Sequence, residues 1–282
     1  MNTAASVPVG TLLRDWRIRR RLSQLDLAGE ADVSTRHLSF VETGRAAPSR
    51  EMVLRLANRL DVPLRERNRL LVAAGYAPMY GERGLDEPSM VAARQAIDLV
   101  LRGHEPYPAL AVDRHWTLVS YNRAVPLLMA GAAPALLQPP VNVLRLSLHP
   151  DGLAPRIVNL AAWRTHVFER LRQQIVASGD DDLGALAEEL RAYPGPGRAE
   201  PAADQHVVVP LVLDTPDGTL SFISTTTVFG TPVDVTLSEL ALETFFPADA
   251  ATADRLNRLA DARRGIASSG RAGHGARPAR AE

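Results

Sequence analysis

The sequence predicts an α+β protein, with an all-α N-terminal portion followed by a larger portion built on an antiparallel sheet. Three observations predict it. From Val9 to Ala74 the apolar residues recur at helical spacing in short pieces separated by turn signals. After Pro108 that pattern gives way to runs of β-formers bounded by Asp, Asn and Gly. The chain has 282 residues, 46% hydrophobic and 23% charged, enough for one to two domains with a sizeable core. We expect a first domain over 1–76, a linker over 77–88, a second domain over 89–254 and a disordered tail over 265–282.

The first portion divides into five helices. The first, Val9 to Arg20, is expected to turn Leu12, Leu13, Trp16 and Ile18 inward. The second runs Gln24 to Glu30 behind a capping Ser23, with Leu25, Leu27 and Ala28 apolar. The third begins at Ser34 and ends at Gly44, the residue type that takes the left-handed conformation after a helix. The fourth and fifth, Arg50 to Leu60 and Leu64 to Ala74, are each introduced by a proline and close with Asp61 and Gly75. The stretch YAPMYGERGLDEPS, rich in Gly, Pro and charge, then reads as a connection.

The second portion opens with one helix, MVAARQAIDLVLRG. ALAVDRHWTLVSYNRAV gives a hairpin around Asp113 and Arg114, after which Asn122 is expected to open a helix. An irregular stretch around LLQPPVNVLRLSLHPDGLAP leads to a helix from Asn159 to Ser178, with Leu160, Trp163, Val167, Leu171 and Ile175 on one face. The acidic run Asp180 to Asp182 suits the start of a helix reaching Arg191, where the dipole favours negative charge. VVVPLVL, the turn TPDG and LSFISTTTVF form a second hairpin. VDVTLSELALETFF is read as a strand because Val233, Val235 and Leu237 alternate, and a short amphipathic helix to about Arg264 precedes the tail.

Composition excludes several functions. Without cysteine there are no disulfides, thiolate metal sites or Cys nucleophiles, and a reducing compartment fits. The seven histidines are scattered, with no HExxH spacing, so no metal site is expected. No GxSxG occurs, and no enzyme is expected. No run is long and apolar enough to span a membrane and the N-terminus lacks a signal region, so a cytoplasmic location is expected. The net charge of zero conceals thirteen arginines against eight acidic residues over 1–80, about +5 there and −5 in the remainder. The first portion alone is suited to a polyanion.

A helix opening with SQ, a turn of four residues and a second short helix make the helix-turn-helix arrangement, whose second helix fits the DNA major groove. Through SQLDLAGEADVSTRHLSFVETGRAAPS, residues 10–75 resemble the XRE family of phage-repressor-like regulators, which implies a five-helix lambda-repressor-like fold. The resemblance gives each residue a role. Ser23 and Gln24 would meet a phosphate at the start of the second helix. Thr35, Arg36, Ser39 and Phe40 would form the reading edge, with Arg36 suited to guanine and Phe40 to a thymine methyl, and Ser34 would be among the DNA-binding residues. Arg45 would lie against the backbone, while His37 is left open between phosphate, base and rim. It also implies that Glu42, which would repel DNA if it faced it, pairs with Arg17. The chain departs from the family at Asp32, where the turn often carries Gly.

Three blocks, RHLSFVETGRAAPSREMVLRLANRLDVPLRERNRLLVAAGYAP, NVLRLSLHPDGLAPRIVNLAAWRTHV and STTTVFGTPVDVTLSELALETFFPAD, look like the MmyB-like branch of that family. The resemblance reaches about Asp254. It implies a PAS-like C-terminal domain with a cavity for a fatty acid or similar apolar molecule, and no resident cofactor. Arg145, His149 and Trp163 are the candidate ligand residues near one helix start. For each the plainer reading stands beside it: core packing for Trp163, a turn and cap for His149, and a salt bridge for Arg145. The expected partners are double-stranded operator DNA, a second copy of the chain and a small effector, with no membrane. The competing readings give the second domain a protein partner, or dimerisation alone, with no ligand. An apolar cavity of some hundreds of Å³ would favour the sensor.

Overall fold

The computed structural model describes residues 7–196 and 208–272. Two compact units divide it. The first is the chain up to Val91 with Gln173–Asp180 and Phe229–Glu239, and the second is Ala92–Arg172, Asp181–Val228 and the chain from Leu240 onward.

The first unit holds α1 (Val9–Arg19), α2 (Gln24–Glu30), α3 (Thr35–Glu42), α4 (Arg50–Arg59) and α5 (Leu64–Ala73). Three serines set where the helices begin. Ser23, Ser34 and Ser49 each accept a hydrogen bond from the backbone N–H three residues on, satisfying one amide that the helix itself leaves bare. Left-handed residues end the helices, with φ of 73° at Gly44 and 51° at Asp32. Asp32 thus takes a conformation that glycine adopts more readily, at the cost an L side chain incurs there.

The core of this unit gathers Leu13, Trp16, Leu27, Leu38, Val41, Val53, Leu56, Leu70 and Leu71. Ile18, expected inward, is 54% exposed, and Leu25, one of the apolar residues of α2, is 70% exposed. Each sits two residues from a buried neighbour, Trp16 or Leu27, which is about 200° around the helix and so on the far side. Arg65 bonds both carboxylate oxygens of Glu239 at 2.8 and 2.9 Å and reaches Glu82 at 2.5 Å, and these bonds, Glu239 foremost, push its pKa up.

The rest of the chain carries α6 (Val91–Gly103), β1 (Ala109–Val112), β2 (Leu118–Tyr121), α7 (Val125–Met129), α8 (Val143–Leu148), α9 (Leu160–Ser178), α10 (Asp181–Ala192), β3 (Leu211–Leu213), β4 (Leu220–Val228), α11 (Val235–Ser238), β5 (Ala241–Pro247) and α12 (Ala250–Ala272). The five strands form one antiparallel sheet in the order β2-β1-β5-β4-β3. The register pairs Leu110 and Thr226 with Glu243, Ser224 with Phe245, and Leu211 with Phe222. Because side chains alternate along a strand, these residues share one face. α12 is tied to the sheet by Thr252, whose hydroxyl accepts from the Ser221 N–H at 3.0 Å, and by buried Leu256.

Four expectations are corrected. Asn122 opens no helix: it is buried, donating to the carbonyls of Leu101 and Tyr107 and accepting from the amides of Ala109 and Ala124, so its amide knits the end of α6 to the start of β1. The stretch expected to be irregular contains α8, capped by Asn142. The alternation at Val233, Val235 and Leu237 yields to a cap: Asp234 accepts from the Thr236 N–H, α11 forms, and the strand begins only at Ala241. The last helix continues to Ala272, past Arg264, while 273–282 of the expected tail lie outside the described residues.

Gly10 is where α1 meets the end of α3. A Cβ there would lie 2.2 Å from the Val41 carbonyl oxygen and 2.8 Å from that of Glu42. Alanine is the better helix former by roughly 1 kcal/mol, yet backbone cannot give way as a flexible side chain does. Gly10→Ala is expected to destabilise by about 2 kcal/mol, seen as a lower urea midpoint by circular dichroism. A raised midpoint would mean that the two helices do not approach this closely.

Candidate nucleic-acid interface and ligand cavity

α3 presents two faces. Leu38, Val41 and Glu42 are buried, while Arg36 and His37 are exposed and Thr35, Ser39 and Phe40 half-buried. Ser34 caps the helix, accepting from the His37 N–H at 3.1 Å. The Arg36 guanidinium lies 5.4 Å from the centre of the Phe40 ring, a cation–π contact that leaves it in solvent. Beyond Gly44, the Arg45 N–H bonds the Phe40 carbonyl at 2.7 Å, which fixes the backbone from which its exposed side chain extends.

The aim of this helix is set from beneath. Arg17 donates Nε and Nη2 to the two oxygens of Glu42 at 2.7 and 2.8 Å, and its Nη1 reaches the Leu22 carbonyl. Gln24 adds an N–H to Glu42 Oε2 at 2.7 Å. One carboxylate therefore joins α1, α2 and α3. Burial alone would push the Glu42 pKa up, but the hydrogen bonds from Arg17 and Gln24 and the charges of Arg17 and Arg14 outweigh it and hold it below the ordinary value.

Gln24 thus gives one amide proton to Glu42 and keeps one for an outside acceptor. Ser23, expected to meet a phosphate, is bonded here within its own helix start. Its N–H and hydroxyl are both bonded to Asp26, whose carboxylate stands at the start of α2, its pKa drawn down by the Ser23 hydroxyl and then the backbone N–H.

In the second unit, the sheet face described above, α7, α8 and α9 surround a cavity of about 80 Å³, or about 730 Å³ when the empty space open to solvent at its mouth is counted. Its walls are apolar: Trp116, Leu128, Leu144, Leu153, Trp163 and Val167 line it. Trp163 donates its indole N–H to Ser147 at 2.9 Å, satisfying the one polar atom of a buried ring. Trp116 reaches the cavity from a left-handed residue, φ 66°, held by the Asp113 carboxylate, which accepts from the amides of His115 and Thr117. For a bulky residue that backbone is strained by roughly 1–3 kcal/mol, so the hairpin spends stability to place this ring. At one pole Arg170 pairs with Glu243, whose side chain is 4% exposed.

Of the three ligand candidates, Trp163 lines the cavity and two are corrected. Arg145 bonds Glu189 through two contacts of 2.8 Å in a solvent-facing pair. His149 ends α8, its Nδ1 accepting from the Asp151 N–H and its ring standing edge-on to Tyr193. On α8, Val143, Leu144, Leu146 and Ser147 line the cavity, and at 100° per residue Arg145 falls on the opposite side of the helix. Ser147, Arg170, Ser224 and Glu243 were missed; Arg170 could have been found as the seventh residue after Trp163, on the same helix face.

Residues 93–259 match the model of the MmyB-like transcription regulator ligand binding domain, and residues 8–70 match a helix-turn-helix domain. The chain belongs to the MmyB-like transcription regulators. This regulator is 28% identical over 184 residues to uncharacterized HTH-type transcriptional regulators of Mycobacterium bovis and Mycobacterium tuberculosis. The match covers 65% of this chain and 66% of theirs, just under two thirds of those relatives' length. Among solved structures it is similar to the clp gene regulator ClgR from Corynebacterium glutamicum, at 25% identity and TM-score 0.21 over 35% of this chain and 90% of that one. It is also similar to an RNA-binding Light-Oxygen-Voltage receptor, at 13% identity and TM-score 0.27 over 92% and 64%. Scores this low carry no argument about function. No helix among the described residues of this MmyB-like regulator is long and apolar enough to cross a membrane.

Glu42 generates a stability prediction with a definite pH sign. Its folded pKa is depressed, so its contribution is complete above the ordinary carboxylate pKa and is lost as pH falls through the lower folded value. Glu42→Ala strands the Arg17 charge and is expected to cost about 3 kcal/mol. Glu42→Gln is expected to remove part of the acid-side slope of melting temperature against pH. Unchanged melting in Glu42→Ala would show the tie to be energetically idle.

Proposed function

We propose that this MmyB-like regulator binds operator DNA as a homodimer in the cytoplasm and that a fatty-acid-like apolar molecule in the second unit changes its DNA affinity. The observation that carries the reading is the apolar cavity, bounded by two tryptophans and one ion pair, in a chain that also bears a helix-turn-helix. Dimerisation follows from the shortness of α3. Eight residues read few base pairs, and two half-sites multiply both affinity and specificity. The ligand acts through different affinities for two arrangements of the dimer, since equal binding to both would shift nothing.

In the DNA complex, Thr35, Arg36, Ser39 and Phe40 face the bases, and Arg45 meets the backbone. Ser34 and His37 lie at the edge of that surface, and Gln24 retains one N–H for a phosphate. Arg36→Ala is expected to relax sequence preference at one operator position by about 1–3 kcal/mol. Arg45→Ala should weaken all sequences alike and reduce the salt slope of log K by about one. Both are read by fluorescence anisotropy on a selected operator, and an unchanged preference in Arg36→Ala would remove it from the reading edge.

Native mass spectrometry of the purified full chain, followed by operator binding with and without the extracted lipid, tests the sensing role. A co-purifying apolar mass whose removal alters operator affinity is expected. If no apolar extract binds or changes affinity, the second unit serves dimerisation or a protein partner instead.

A further inference from the structure

In the second unit, α9, the last turn of α10 and the residues just after it border an open groove of about 510 Å³, which shares no lining residue with the apolar cavity. Three of its lining side chains are guanidinium groups, Arg164, Arg172 and Arg191, and one, Glu169, is a carboxylate. Arg172 donates to both oxygens of Glu169 at 2.9 and 2.7 Å, and Arg191 donates to Glu188, each partner lying three residues earlier on the same helix. Both pairs are exposed, and pairs of that kind contribute little, so their arginines can be shared with an arriving anion at small cost.

Arg164 is in a different position. It is only 8% exposed, its Nη1 is buried without a hydrogen-bond partner, and no carboxylate among the described residues pairs with it. The groups around it are not anions. The centre of the Phe168 ring lies 5.6 Å from its guanidinium carbon and 5.5 Å from that of Arg191, and a Cβ on Gly195 would come 3.1 Å from Nη1. Burial pushes the Arg164 pKa down, yet a guanidinium keeps its proton at neutral pH.

A cation withdrawn from water without a counter-ion is a costly arrangement, and a bound anion would relieve it. Arg164, Arg172 and Arg191 set against Glu169 and Glu188 leave one positive charge, and it is the buried one that has no partner. A carboxylate offers two oxygens, which a single guanidinium fork occupies. A phosphate offers three, enough to accept from Arg164 and to share Arg172 and Arg191 as well. Because Glu169 and Glu188 already face solvent, loosening their pairs strands no carboxylate. We propose that this groove binds a phosphate group, free or as the monoester of a small organic molecule, with Arg164 as the anchoring cation and Arg172 and Arg191 donating from the rim. The site is independent of whatever occupies the apolar cavity.

Inorganic phosphate, glycerol 3-phosphate and acetate are titrated by calorimetry into the full chain at about pH 7.5, where the phosphates are largely dianions, with ionic strength held constant by chloride. One saturable site for the phosphates is expected, with acetate weaker by at least about tenfold, the scale of one charge-assisted hydrogen bond. Tighter binding of the ester assigns the groove to an ester, and equal binding assigns it to free phosphate. No saturable phosphate site, or acetate binding as well as phosphate, overturns the proposal.

Arg164→Met removes the cation and keeps an apolar side chain of similar length. Its phosphate affinity is expected to fall by at least about tenfold, and phosphate is expected to raise the melting temperature of the wild type but not of the variant. In chloride alone the variant is expected to melt no lower than the wild type, because it removes a buried charge that has no partner. Phosphate affinity unchanged in Arg164→Met would place the anion elsewhere, and a variant less stable in chloride and phosphate alike would make Arg164 structural; either result overturns the site. Should that variant not fold, Arg172→Gln on the exposed rim decides: a several-fold loss of phosphate affinity is expected, and an unchanged affinity overturns the proposal.

Discussion

Each unit of this protein is organised around a buried carboxylate that a guanidinium from another element must satisfy. In the first, Glu42 is met by Arg17, with Gln24 adding a third bond. In the second, Glu243 is met by Arg170, with Thr226 alongside. Burying a carboxylate costs several kcal/mol unless it is paired and hydrogen-bonded, so neither arrangement tolerates a shift of the helix that supplies the arginine. The net stability gained over an apolar pair is small or absent. What the arrangement secures is geometry: α3 held at one angle to α1 and α2, and α9 held at one register against β4 and β5.

That distinction explains why the two surfaces of functional interest differ. The outer face of α3 carries exposed Arg36 and His37 over a rigid underside, and a reading helix needs such a combination, because base discrimination depends on donors held at fixed positions. The cavity inverts the design. Its walls are apolar and the ion pair among its described lining residues is closed upon itself, so on the sensing role proposed the fit of an apolar ligand supplies the affinity. The strained Trp116 belongs to this second design, since a ring presented from a left-handed residue is held there by hairpin bonds.

Much of the fold was legible because it rests on local rules. Ser23 is a helix cap in the sequence and in space, the helix expected to begin at Ser34 is capped by it, and the runs of β-formers around Asp217 and Gly218 became β3 and β4. The failures occur where a local signal meets a competing one. Asp234 capped a short helix inside an alternating run, and Asn122, a turn former by type, was drawn into a buried amide with four backbone partners. The cavity's pole was hidden for a related reason. Arg170 and Glu243 lie 73 residues apart in the chain, and only the pairing of β5 with β4 and the packing of α9 bring them together. Arg145 and His149 are near Trp163 in the chain, but nearness along the chain does not decide which side of α8 a residue faces.

The closed ion pair also bears on how strong a ligand response can be. A ligand changes DNA affinity only by its differential binding to two states, and a tenfold change requires about 1.4 kcal/mol of difference. An apolar chain buried in both states contributes nothing to that difference, however tightly it binds. The difference must come from contacts made in one state alone. In the second unit the groups able to form or lose such contacts at the cavity wall are the few polar ones, since a hydrogen bond depends steeply on distance and angle whereas apolar burial changes gradually. The Arg170–Glu243–Thr226 cluster joins α9 to β4 and β5, so a head group that enters it acts on the link between a helix and the sheet. On the sensing role proposed, the strength of the response rests on these three side chains.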